Sequence, residues 1–572
     1  MEYIYIKSYM GYSIFLYTQS PLIFMDDSYS YISNIYGKNH YDIDAPFREI
    51  VEFYAGESLE LSSLGAYAGK QLYEITDYVD KISPPVLKMW GIDGKRIDSV
   101  LINSVEKHAL EKLIKEFGIN RPYFHGKSII EHYAMGYLVA DPGIYCIITL
   151  THQTAYALHK YAPDRFRDYV SGLIGDSTNL LLGATWFTEI QGGSDLGANQ
   201  TIAEPGNNQW YLTGDKYFAS NAGLADVSLT SAFHGDNHGA KGLSLFVLPR
   251  KNMEGNLNYR VRRLKEKSAT KSVPSGEVEL ENSEAQMLGD AGKAIYYITE
   301  DLMVSRLDNA AAACGIARKA YLEAYYYSMK RKTFGSLLLD HPGIKRDLLD
   351  MEVLLEGSIA LTFKSIELFD RSIKSKPPYD DDYNYTRLMT HIVKNITANS
   401  SSIITQMATE LHGGIGFLSE FPIERWHREA LITPIWEGAS NIQALDMLEA
   451  IMKKKAHIRM LQDFQKTVSE ITGGKETADS CYKLLKESID SILSMDNTEA
   501  QFHAKYLMDV MGNSMAAILL LHIGNKTGNN DFIKAGNLYF LRYVKKGDYD
   551  RDTIESSESL IRVEREERSL KN

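Results

Sequence analysis

From about residue 45 to residue 180 the apolar positions recur at spacings of three and four with charges between them. That period predicts helices, and LKMWGIDGKRIDSVLINSVEKHALEKLIKEFG, residues 87–118, is read as one. ADPGIYCIITLTHQTAYALHKYA, residues 140–162, is more apolar and predicts a buried helix opened by Asp141-Pro142-Gly143. Near Leu181 the period shortens. QWYLTGDKYFASN, DVSLTSAF, GLSLFVLPR, LNYRVRRL and SGEVELENSEAQML are short, alternating and rich in aromatic and β-branched residues. They predict a small antiparallel β domain, a barrel or sandwich, with a Gly-rich turn at His234–Gly242. Helical period returns near Lys293 in four runs, at 293–332, 344–373, 382–413 and from near Gly438 to about Lys455, with a Pro- and Asp-containing loop at 374–382. Four such helices make a bundle. Further helices follow, ending in the charged ESSESLIRVEREERSLKN.

The predicted order is therefore an N-terminal extension (1–24), a helical domain (25–182), a β domain (183–290), a four-helix bundle (291–455) and a helical appendage (456–572). The extension is apolar but broken by Lys7, Gln19 and Pro21, too short for a bilayer span and without a cleavage signal. No segment elsewhere reads as a membrane span. A net charge of -12 argues against nucleic acid or an anionic membrane as the main partner. Cys146, Cys314 and Cys481 are far apart, form no metal-type pair and read as small buried hydrophobes of a reducing cytoplasm. No metal site is expected.

Five stretches carry candidate chemistry, and each also has an ordinary structural reading. TPIWEGASNIQ, Thr433–Gln443, seats Glu437 between a Trp and three small residues. It is either a helix-start acid or a carboxylate held against an aromatic wall, able to take a proton from carbon. ATWFTEIQGGSDLGANQT, from Ala184, gathers Thr188, Glu189, Gly192, Gly193, Ser194 and Asp195 into a loop that is a ligand cradle or a plain hairpin. In KYFASN, Phe218 and Ser220 share one strand face, suited to a flat ring or simply to a core. MKRKTFGS offers Arg331 and Thr333 to a diphosphate or to a helix C-terminus. ELHGGIGF allows close backbone approach at Gly413 and Gly414, or caps a helix.

In this order the motifs WFTEIQGGSD, KYFASN, SRLDNAAAACGIA, KRKTFG, LHGGIGF and PIWEGASNIQ resemble the acyl-CoA dehydrogenase flavoprotein family. TEIQGG, IWEG, AGESLELSSLGAYAGK and the appendage resemble its AidB-like branch. The resemblance implies FAD between β domain and bundle, completed by a neighbouring subunit of a homotetramer. It implies cofactor contacts from Thr185, Phe187, Thr188, Ser194, Phe218, Ala219, Ser220, Arg331, Thr333, Phe334, Glu410, Gly413, Gly414, Ala439, Ser440 and Asn441. Substrate contacts would come from Ser194, Ser305, Arg306, Trp436 and Gly438, and Glu437 would be the base that removes the α-proton of an acyl-CoA. The product would be a 2-enoyl-CoA, and an electron-transfer flavoprotein the acceptor, in fatty acid metabolism.

Two positions depart from the family pattern: Glu410 replaces a common Gln, and Met303 replaces a common acid near the CoA arm. The alternative reading is an AidB-like flavoprotein with a nucleic-acid-associated protective role. From Ile451 onward the chain has 19 Lys+Arg against 18 Asp+Glu, a net of +1, which disfavours it. A flavin oxidase is a third reading, disfavoured by Glu rather than Asp at the base position.

Overall fold

The computed structural model describes residues 4–7, 13–16, 32–141, 143–235 and 239–562. The extension at 1–24 is described only as an antiparallel strand pair, β1 (Ile4–Lys7) and β2 (Ser13–Leu16). The centre of the 234–242 turn, Pro142 and the last ten residues of the charged tail lie outside the described residues.

The N-terminal domain is helical, with one correction. Residues 86–101 are not helix but a hairpin of β3 (Val86–Trp90) and β4 (Arg96–Leu101). Gly91 and the Asp93-Gly94 pair decide this: Gly91 N–H donates to Lys95 C=O at 2.8 Å and Gly94 takes φ +75°. Such a turn outweighs a three-four spacing that also fits a short alternating strand. The hairpin leans on the β domain, where Val261 N–H donates to Asp98 at 2.8 Å. The predicted buried helix forms at Ile144–Tyr161.

The β domain contains β5 (Gly183–Trp186), β6 (Ile202–Pro205), β7 (Trp210–Ser220), β8 (Val227–Phe233), β9 (Leu243–Pro249), β10 (Arg260–Leu264) and β11 (Ser275–Leu288). The path β10-β11-β7-β6-β8-β5 is closed by β9, which pairs with both β11 and β8, so the sheet curls into a barrel. Its interior holds Trp186, Leu212, Phe246, Leu248, Val261 and Val278. Most pairings are antiparallel, but β5 runs parallel to β8 because a long excursion through β6 and β7 separates them.

The bundle consists of Ala294–Ser328, Pro342–Ser372, Asp381–Leu411 and Ser440–Met452, with a short helix, Pro422–Ala430, between the last two. Almost every residue of Ala294–Ser328 is buried, and its alanine run lets neighbours approach closely. The appendage covers the bundle. Its helix Asn497–Thr527 is long and apolar enough to cross a membrane, which corrects the expectation that no such segment exists. That apolar stretch is 78% buried inside the protein, packed where Gly512 meets Ile392 and Ile396, as a core helix would be.

Candidate active site

Glu437 lies in the turn between Pro422–Ala430 and Ser440–Met452. Its backbone takes φ +57° and that of Gly438 +94°, both left-handed. Glycine adopts this freely, whereas a glutamate there is strained by about 1–3 kcal/mol, held by its surroundings. The Ser305 hydroxyl donates to Glu437 Oε2 at 2.8 Å. Arg306 Nε donates to the Glu437 carbonyl at 3.0 Å. Ser305 and Arg306 thus hold the side chain and the backbone of one residue from adjacent positions of one helix.

Glu437 and Trp436 border a cavity that opens to solvent, with Tyr145, Leu150, Ala312 and Ile316 among its apolar walls. Some of its polar side groups pair with one another, while Asp308 Oδ2 and Asn309 Nδ2 have no partner. The Trp436 indole donates to Asn309 Oδ1, and the Tyr145 hydroxyl donates to Asp308 Oδ1. Cys146 also lines the cavity, so it is not simply core; burial pushes its thiol up to about 12. Glu429, in the same wall, is pushed up to about 8 by burial and accepts from Thr270 N–H. One turn before Ser305, Asp301 is buried with both oxygens unpartnered. Burial, then the charge of Glu437, raises it well above the usual carboxylate range.

Several residues around Glu437 have no role that the sequence alone predicts. Gln443 Nε2 donates to the carbonyls of Glu437 (2.8 Å) and Gly438 (2.9 Å), and Lys394 Nζ donates to the Gly438 carbonyl at 2.7 Å. His391, held neutral by burial that drives it down to about 3, bonds Gln443 Oε1 at 2.9 Å. Burial and the adjacent Arg306 bring Lys394 down to about 7. Burial also lowers Arg306 itself, opposed by Asp446 at 3.5 Å and by Glu437. Gln443 stands inside TPIWEGASNIQ, whereas no neighbour in the chain marks Lys394 or His391.

The β-domain residues converge on a second surface. Tyr217 N–H donates to the Thr188 carbonyl at 2.9 Å, bringing the Thr188 loop beside Phe218 and Ser220. Phe218 is 58% exposed, a large aromatic face with Lys265 Nζ 4.9 Å from its ring centre. A Cβ on Gly193 would lie 2.5 Å from Thr188 Oγ1, so the loop folds over Thr188 only because Gly193 lacks one. Ser194 is exposed at the loop edge and Thr185 is half-buried. Phe187 and Ala219 turn into the core, leaving only their backbone to face a ligand. Glu189 is structural: it is buried, with Lys216 Nζ at 2.7 Å and Thr201 Oγ1 at 2.6 Å donating to it.

Arg331, Thr333 and Phe334 follow the end of Ala294–Ser328, and Glu410, Gly413 and Gly414 end Asp381–Leu411. Stacking of Tyr327 on His412, 4.5 Å apart, brings the two ends together. All six side-chain or glycine positions are exposed except half-buried Thr333. Ser305 and Ser328 bound a 24-residue helical stretch, about 35 Å long. This end of the bundle is therefore remote from Glu437 of the same chain, whereas Ala439, Ser440 and Asn441 directly follow it.

These exposed aromatic, hydroxyl, guanidinium and glycine groups fit a flat ring bearing a diphosphate tail. No metal is needed to explain them. His132, His152 and Asp308 bring metal-type ligand atoms within 4.8 Å of one another. The two imidazoles, however, stack face to face at 3.8 Å, so their in-plane lone pairs do not converge.

Comparison with known proteins agrees with this layout. Residues 32–177 match the adaptive response protein AidB N-terminal domain, 184–283 the acyl-CoA dehydrogenase middle domain, and 292–452 the acyl-CoA dehydrogenase C-terminal domain. The chain is 30% identical to acyl-CoA dehydrogenase family member 11 of Caenorhabditis elegans over 440 residues, 72% of this chain and 69% of that protein. It is 29% identical to AidB of Escherichia coli over 453 residues, 75% of this chain and 80% of that one. Among solved structures, the apo form of Bd2924 superposes with a TM-score of 0.75 at 28% identity, covering 85% of this chain and 98% of that one. The fold is also that of C. elegans ACDH-11 in complex with C11-CoA, with a TM-score of 0.78 at 23% identity over 91% and 95% of the two chains. The chain belongs to the acyl-CoA dehydrogenase family, in the branch that carries an AidB-type N-terminal domain.

Proposed function

We propose that this protein is an FAD-dependent acyl-CoA dehydrogenase that converts an acyl-CoA thioester to the 2-enoyl-CoA, with Glu437 removing the α-proton. The observation that carries this reading is the Glu437 carboxylate at the wall of a mainly apolar cavity, oriented by Ser305 at 2.8 Å. FAD, when bound, supplies the acceptor for the hydride that leaves the β-carbon.

The chain's own residues do the rest. The apolar walls take the acyl chain and exclude water, which strengthens every charge interaction at the reacting end. Trp436, fixed by its bond to Asn309, walls the carboxylate, and Gly438 leaves space for the thioester. Arg306 holds the Glu437 backbone while its charge faces the carboxylate. Phe218, Thr188 and Ser220 would hold the flavin ring, and Arg331 and Thr333 the diphosphate. The remoteness of Arg331 from Glu437 along Ala294–Ser328 is in keeping with a diphosphate site that serves a neighbour's FAD, and a homotetramer is the proposed assembly. An electron-transfer flavoprotein is the proposed acceptor, and fatty acid metabolism in the cytoplasm the proposed setting, in keeping with free cysteines.

The test is anaerobic mixing of the FAD-loaded protein with short, medium and long acyl-CoAs. The C11 chain carried by the C. elegans relative belongs in the panel. Loss of the oxidised-flavin absorbance near about 450 nm, abolished by Glu437→Gln with FAD retained, is the expected result. A yellow protein that no acyl-CoA bleaches would overturn it and turn attention to salt-dependent DNA binding.

A further inference from the structure

The turn that carries Glu437 is held from behind by side chains that never touch its carboxylate. The Glu437 carbonyl accepts from Arg306 Nε and Gln443 Nε2, and the Gly438 carbonyl from Lys394 Nζ and Gln443 Nε2. All three donors are buried, Gln443 completely. The two carbonyls fix the orientation of the Gln443 amide: both amide hydrogens go to them, and its oxygen faces His391 Nδ1 at 2.9 Å. Two successive left-handed residues present their carbonyls to this side, and a relaxed turn would point them elsewhere.

We infer that Lys394 and Gln443 are positioning residues for the general base: they lock the Glu437–Gly438 turn in its left-handed form, and this aims the carboxylate into the cavity. The inference rests on the reading of Glu437 as base. Lys394 comes from Asp381–Leu411 and Gln443 from Ser440–Met452, so the turn is pinned to two bundle helices besides that of Arg306. The charges acting on Lys394 are Arg306 and Glu437. Arg387, His391 and Asp446 complete the cluster around Arg306, and Asp509 of the appendage helix is taken by Asn395. Burying an ammonium beside a guanidinium is costly, and its Nζ bond here goes to the carbonyl of the residue after the base.

The test compares FAD-loaded wild type with Lys394→Met and Gln443→Glu. Both variants nearly preserve shape, but the first removes a donor and the second sets a carboxylate against two carbonyls. Hydrogen–deuterium exchange over residues 432–443 is expected to quicken by about tenfold or more in both, with exchange elsewhere in the bundle unchanged. The rate of flavin bleaching is expected to fall by about tenfold or more while acyl-CoA affinity stays within about threefold, the split that misplacement of a base produces. If one variant does not fold, the other carries the test. Unchanged exchange over 432–443, or full bleaching rates in a variant whose turn has loosened, overturns the inference. A wild type that no acyl-CoA bleaches sinks the base reading instead, and with it a positioning role for the two residues.

Discussion

Ser305 Oγ and Glu437 Oε2 stand 2.8 Å apart, although 132 positions separate them in the chain. This bond joins the first bundle helix to the turn before the last and fixes which way the carboxylate faces. Ser305→Ala keeps the helix and removes the hydroxyl. A hydrogen bond to a charged group contributes about 1.5–3 kcal/mol, so the rate of flavin bleaching is expected to fall by about 10- to 100-fold. Stopped-flow titration with the best acyl-CoA should show acyl-CoA affinity nearly unchanged.

Arg331 is exposed at the far end of the same helix, remote from Glu437. Arg331→Ala removes a forked anion donor without disturbing a core. FAD affinity is expected to drop by about 10- to 100-fold, read by flavin fluorescence after dilution. Glu437→Gln should keep its flavin under the same dilution. Equal flavin retention by Arg331→Ala and wild type would remove Arg331 from the cofactor site.

Gly315 is packed so tightly that an added Cβ would lie 2.1 Å from the Tyr137 carbonyl oxygen. A backbone atom cannot swing aside as a flexible side chain can. Gly315→Ala must push Ala294–Ser328 away from Ile130–Val139, next to the cavity wall at Ile316. The expected cost is about 1–3 kcal/mol or more, seen as a lower Tm, with weaker acyl-CoA binding in whatever remains folded.

Glu106 has no exposed surface and no partner for either side-chain oxygen, and burial alone pushes it up to about 8. The folded state therefore holds its proton where the unfolded chain, near 4.5, has lost it. Stability then declines as pH rises from about 4.5 towards 8, by up to about 1.4 kcal/mol per pH unit from this one group. Glu106→Gln keeps the shape without the charge. Urea unfolding should show the variant about as stable as wild type at pH 4 and more stable by a few kcal/mol at pH 9.

Local pattern was enough for much of this protein. The switch from a period near 3.6 to alternation at Leu181, and back near Lys293, marks the β domain between helical parts because backbone geometry imposes those periods residue by residue. Glu437 was legible because its Trp and small neighbours are adjacent in the chain. Where two local signals competed, spacing alone misled: at 87–101 Gly91 and Asp93-Gly94 turned a helical reading into a hairpin.

Other features depended on contacts between distant residues. Lys394 precedes Gly438 by 44 positions yet holds its carbonyl, and nothing near Lys394 in the chain distinguishes it from a solvated lysine. Phe187 and Phe218 are both aromatic residues of the β domain. Strand and loop packing sends one into the core and leaves the other exposed. The apolar run of Asn497–Thr527 has the composition of a membrane span, and packing against the bundle makes it a core helix. Composition and period determined which elements form, and a local motif where Glu437 sits in the chain. Only tertiary structure decided which donors hold the Glu437 turn and which apolar faces stay open, because burial and hydrogen bonding are set by partners that sequence proximity does not reveal.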